Sequence, residues 1–109
     1  MTMRNAMVAA LSVAFACASA AALAGEPAKG KEKSNVCAAC HGPDGNSPSP
    51  EFPRIGGQYE EYLYQALLDY KAGRRKNPIM SAQVENLSPA DLGDLAAYFA
   101  SQKGLYQKR

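Results

Sequence analysis

The chain has 109 residues, 47% hydrophobic and 20% charged, with a formal net charge of +2. That length allows one small domain with limited capacity for a core of its own. Twelve Lys and Arg stand against ten Asp and Glu, which lacks the marked basic excess of a nucleic-acid binder.

Residues 1–24 have the layout of a cleavable secretory signal. Arg4 supplies a positive n-region, Ala6 to Ala16 an apolar stretch, and Ala22-Leu23-Ala24 a small-x-small cleavage site. The apolar part is shorter than the roughly 20 residues a membrane-spanning helix needs. Ala14-Phe15-Ala16 ahead of Cys17 lacks the pattern of a lipoprotein anchor. The expectation is therefore a domain of residues 25–109 exported to the periplasm, without a stable membrane anchor. Cleavage would remove Met1, Met3, Met7 and Cys17, leaving one histidine, one methionine and two cysteines.

The first predicted helix runs from about Pro27 to Cys40, with Pro27 suited to a first turn and Gly30, Ser34 and Cys37 on one face. Lys29, Lys31 and Lys33 read as its solvated side. It leads into Cys37-Ala38-Ala39-Cys40-His41, and C-x-x-C-H is the attachment sequence of c-type haem. Two thiols three residues apart lie on adjoining faces of a helical turn, placed to form thioethers to two vinyl groups, and the next residue offers an imidazole to the iron. Two other chemistries use similar letters. A redox dithiol favours a βαβ setting, which is missing here. A zinc site needs a fourth strong ligand and a second cysteine pair, also missing.

From Gly42 to Gln58 the chain is interrupted by Gly42, Pro43, Gly45, Pro48, Pro50 and Pro53, so a long wrapped loop is expected. Loops of this length in a compact domain are usually functional or held by a ligand. A second helix is expected over about Tyr59 to Ala72, where Tyr59, Leu63, Ala66, Leu67 and Tyr70 recur at helical spacing and Gly73 is a stop. Tyr62, Tyr64 and Tyr70 read as packing residues. Lys71, Arg74, Arg75 and Lys76 form either a solvated loop or a basic rim. Asn77-Pro78-Ile79-Met80 reads as non-helical. Met80 would be the natural second protein ligand to an iron, or else ordinary core packing. The third helix has Ser88 as N-cap, Pro89 at N1, Asp91 at N3, a Leu87–Leu92 staple and an apolar stripe of Leu92, Leu95, Ala96 and Phe99 before Gly104. With no strand pattern between the helices, the fold class is all-α.

C-A-A-C-H-G-P-D-G-N, F-P-R-I-G-G-Q, a single late methionine and L-G-D-L-A-A-Y-F together resemble the bacterial class I cytochromes c, in particular the cytochrome c-553 and cytochrome c4 group, over residues 25 to 104. The resemblance implies three or more helices wrapped around one covalently bound haem c, and electron transfer as the activity. It implies Cys37 and Cys40 as thioether residues, His41 and Met80 as axial ligands, and Pro53 as the carbonyl that accepts the histidine Nδ1 proton. Ile55 would lie against the ring, and Gly30 would mark the crossing of the terminal helices, facing Leu95 and Tyr98. Cytochrome c4 carries two such domains in tandem, so this chain looks like a free-standing half. Two functional classes follow. One is a carrier moving single electrons between redox proteins such as a terminal oxidase, reductase or dehydrogenase. The other is a haem-bearing subunit of a larger oxidoreductase complex. A sensor or peroxidase with an open iron site is disfavoured, since no distal histidine exists and the haem motif stands early in the chain.

Overall fold

The structure, a computed structural model, describes residues 25–106, so the signal segment, Cys17 and the last three residues fall outside it. Five helices and no strand make up the described residues. They are α1 (Pro27–Lys33), α2 (Asn35–His41), α3 (Glu60–Ala72), α4 (Pro78–Val84) and α5 (Pro89–Ala100).

α5 is the organising element because Leu92 to Ala100 are buried without interruption, on every side of the helix. Its start follows from its sequence. The Ser88 hydroxyl accepts from Asp91 N (3.1 Å) and the Asp91 carboxylate accepts from Ser88 N (2.9 Å), a closed capping box behind Pro89. Against α5 pack α1 and, less extensively, α3. The crossing with α1 is close at Gly30, where a β-carbon would collide with the Asp94 carbonyl and lie 2.7 Å from Tyr98 Cβ. The atoms nearest that position belong to Asp94 and to the expected Tyr98. α3 contributes Leu63 to the core, with Tyr64 and Leu67 beside it, and stops at Gly73, which holds the left-handed conformation at φ 77° that a side chain would resist.

Four expectations change. The continuous helix over Pro27 to Cys40 is broken at Ser34, whose hydroxyl and N–H both turn back onto the Lys31 carbonyl (2.7 and 3.2 Å). A short polar side chain competing for a backbone acceptor is the physical cause. The stretch around Met80 is also helical. Asn77 Oδ1 accepts from Ile79 N (3.0 Å) and Met80 N (3.2 Å), and Pro78 begins the turn, so α4 has its own N-cap signature. Lys33 is not a free surface charge either, for its ammonium lies 2.8 Å from Asp91 and 2.7 Å from Asp94, tying α1 to the start of α5. Tyr62 is 54% exposed and so is not a packing residue.

Candidate functional site

Cys37, Cys40 and His41 sit on the single short helix α2. At positions i, i+3 and i+4 they share one face. Both cysteines are free thiols and half-buried, and Cys37 packs against the core cluster. Burial pushes the Cys37 thiol upward from its ordinary range, an apolar setting and not that of an activated redox thiol. His41 is buried, and its Nδ1 lies 2.8 Å from the Pro53 carbonyl oxygen. A carbonyl can only accept, so Nδ1 is the protonated nitrogen. The bare Nε2, which hydrogen-bonds to no described residue, is left to a metal.

The loop between α2 and α3 brings Pro53 to that point. Its carbonyl faces His41 from an exposed residue, while Ile55, two residues on, is half-buried against the core cluster. Met80 lies elsewhere, half-buried on α4, which is fixed to α3 by Ser81 Oγ donating to the Tyr70 carbonyl (3.2 Å) and Lys71 Nζ donating to the Glu85 carbonyl (2.9 Å). α2 packs on α1 and, through Cys37, against the core cluster, whereas α4 packs chiefly on α3. The two helices carrying the proposed iron ligands therefore leave each other unpacked, as a flat group between them requires. Free thiols at thioether spacing, a histidine with its tautomer fixed and its second nitrogen bare, and unpacked helices on either side fit a covalently held haem.

Two open depressions lie off this site. One of about 580 Å³ lies between α3 and α4, lined by residues such as Tyr70, Lys71, Ser81 and Glu85. The other, of about 390 Å³, lies under the Ser47 to Arg54 stretch. Neither is lined by Cys37, Cys40, His41 or Met80. The basic run after α3 is largely engaged. Arg74 Nε donates to Asp69 (2.9 Å), whose carboxyl is held below its usual range by that contact and by Gln65. Arg75 stacks over Tyr70 at 4.9 Å. Sequence reasoning missed two side chains that position the loop. Tyr98 OH donates to the Pro43 carbonyl (2.7 Å) and Asn46 Nδ2 donates to the Lys103 carbonyl (2.7 Å). Asn46 in a Gly-Asn-Ser turn signals only local turn chemistry, and its partner is 57 residues away.

A family profile for cytochrome c matches residues 27–103. Cytochrome c4 of Pseudomonas aeruginosa is 54% identical over 80 residues, spanning 73% of this chain and 40% of that protein. The crystal structure of reduced recombinant cytochrome c4 from Pseudomonas stutzeri superposes with a TM-score of 0.71 at 48% identity, covering 75% of this chain and 48% of that one. The cytochrome subunit of sulfide dehydrogenase from Chlorobaculum tepidum is 37% identical over 73 residues, 67% of this chain and 66% of that protein. The chain thus spans less than half the length of the cytochrome c4 proteins it matches. A five-helix fold organised on α5, a C-x-x-C-H turn with its histidine fixed by a loop carbonyl, and the cytochrome c profile over most of its length make this chain a member of the cytochrome c family, a class I cytochrome c of the c4 group.

Proposed function

We propose that this chain is a periplasmic monohaem carrier that moves single electrons between redox proteins. Cys37 and Cys40 would hold haem c through thioethers, with His41 and Met80 as axial ligands to its iron. One haem follows from the single C-x-x-C-H in the 109 residues, and the periplasmic address from the signal layout of residues 1–24. The observation that carries the reading is the contact between His41 Nδ1 and the Pro53 carbonyl at 2.8 Å, on the same short helix as both thiols.

The bound haem supplies a one-electron ferric/ferrous couple, which no side chain here could supply. The protein's contribution is to set and protect it. Pro53 keeps the Nδ1 proton of His41 engaged, which fixes the ring's orientation and raises its basicity toward the metal. The Met80 thioether would favour the ferrous state, and iron held by both His41 and Met80 would be closed to substrate and oxidant. Partners of this chemistry include a terminal oxidase, a reductase or a dehydrogenase.

The test begins with intact mass, expected to equal the exported chain plus one haem that acid-acetone does not extract. Met80→Ala should keep the haem, lower the potential, lose the weak methionine-to-iron band near the red end of the ferric spectrum and open the iron to carbon monoxide. Ready binding of carbon monoxide by the wild-type ferrous protein at neutral pH would instead mean an open sixth site and no carrier. A second reading draws on the sulfide dehydrogenase relative, which is by name a cytochrome subunit. On that reading this chain is the haem-bearing subunit of an oxidoreductase complex, and it would co-purify with a catalytic chain where a carrier is recovered alone.

A further inference from the structure

The loop that carries Pro53 is closed at its neck and then strapped down. The Gly45 carbonyl accepts from Ile55 N (2.8 Å) and Gly56 N (3.0 Å), so Pro53 lies inside a closed segment, from which its carbonyl reaches His41. The neck is tied to the end of α5 and the chain that follows it at three points. Gly57 N donates to the Phe99 carbonyl (2.9 Å), Leu105 N donates to the Gly56 carbonyl (2.9 Å), and Asn46 Nδ2 donates to the Lys103 carbonyl (2.7 Å). Asp44 accepts from Asn46 N (3.0 Å), and the Tyr106 ring stacks on Tyr59 with centroids 5.1 Å apart. There is no slack at the junction, since a β-carbon on Gly56 would come within 2.9 Å of Asn46 Nδ2 and one on Gly57 within 2.9 Å of Gly104 N.

We infer that Asn46 and the strap of residues 103–106 position the Pro53 carbonyl on His41, and through it set how strongly that histidine donates to the iron. The inference rests on the assignment of His41 as an iron ligand. Asn46 is a positioning residue, touching neither His41 nor any iron ligand. A hydrogen bond held on Nδ1 makes the imidazole more basic, which stabilises ferric iron and lowers the potential. Loosening the strap should weaken that bond and raise the potential. Simple opening of the haem crevice would act with the opposite sign, because water stabilises the extra charge of the ferric state.

Asn46→Asp keeps the side chain's shape but replaces the donor to Lys103 with an acceptor. In the haem-loaded full chain, it should raise the reduction potential and speed exchange of the His41 Nδ1 proton, followed by NMR, roughly fivefold, the loss of about one net hydrogen bond. Leu105→Pro deletes only the amide donor to Gly56 from a half-exposed residue and should move both readouts in the same direction, which carries the test if Asn46→Asp fails to mature. An unchanged or lowered potential, or an unchanged exchange rate, overturns the inference. If the His41 ring signals of the wild type lack the large shift of a group lying over haem, the ligand assignment itself falls and the strap's role with it.

Discussion

Gly30 is where one atom decides whether two helices can meet. A β-carbon there collides with the Asp94 carbonyl, and the backbone of α5 cannot yield without moving the buried run from Leu92 to Ala100. Gly30→Ala should destabilise the holoprotein by about 1–3 kcal/mol, the usual cost of overpacking, and a thermal melt followed at the haem absorbance would read it as a lowered Tm. A Tm equal to the wild type would show that the two helices separate freely. The crossing at Gly30 and its neighbour Tyr98 were reached through the resemblance, but the Asp94 carbonyl was not, because a glycine carries no side chain whose chemistry names a partner. Cys37, Cys40 and His41 were legible as a set because their spacing alone places them on one turn. The carbonyl facing His41 belongs to the main chain of Pro53, which no side-chain pattern reveals. It was reached through the resemblance alone.

Among the elements, the same N-cap logic applies twice and was read once. Ser88-Pro89 announces α5 and is followed by a long apolar run, whereas Asn77-Pro78 announces a helix of only seven residues, too short to show periodicity. α1 and α2 were merged because a serine hydroxyl turning back onto a carbonyl leaves the pattern of apolar residues intact. The contact between α1 and α5 depends on Lys33 lying between Asp91 and Asp94. The Lys33 ammonium is the first cause holding Asp91 at about 2, below its ordinary 3.8, and Asp94 is lowered first by Glu26 N and then by Lys33. A carboxyl lowered on folding adds stability above its unfolded pKa, and this is lost as pH falls from about 4 toward 2. The raised Lys33 contributes at all pH values below its ordinary 10.5 and loses its share above. Lys33→Met should therefore lower the Tm at pH 7 and flatten its fall between pH 4 and pH 2. Parallel acid curves for variant and wild type would sink this account. At the far end of α3, Lys76 is exposed and makes no ion pair among the described residues, whereas Arg74 is engaged with Asp69. Lys76→Glu should slow electron exchange with an acidic partner and reduce its salt dependence without changing Tm. Arg74→Glu should lower Tm as well, and equal Tm effects for the two would argue against the distinction.

For the whole molecule, the distribution of buried apolar side chains decides what holds it together. Seven of the nine belong to α5, with Leu63 from α3 and Val84 from α4, and none from α1 or α2. α2 leans mainly on α1, the strapped loop and the contact of Cys37 with the core cluster, and α4 mainly on α3. A core so concentrated in one helix leaves the others without enough buried surface to offset the entropy of ordering them, a general difficulty for chains of this size. A covalent haem seated between α2 and α4 would supply the missing apolar surface. Its binding would then be a large part of the folding free energy, as at other cofactor-dependent small domains. The all-α class and the places of α3 and α5 were readable from periodicity and caps, but this dependence was not, because it lies in what the helices fail to bury. Replacing Cys37 and Cys40 by alanine should yield a haem-free chain that retains at most the pairing of α1, α3 and α5. Its far-ultraviolet circular dichroism should show well under the native helix content, with a broad melt and rapid proteolysis in the residues around α2 and α4. A double variant that is free of haem and yet shows native helix content with a cooperative melt would mean that α5 and its neighbours suffice, and that the haem is cargo in a preformed fold.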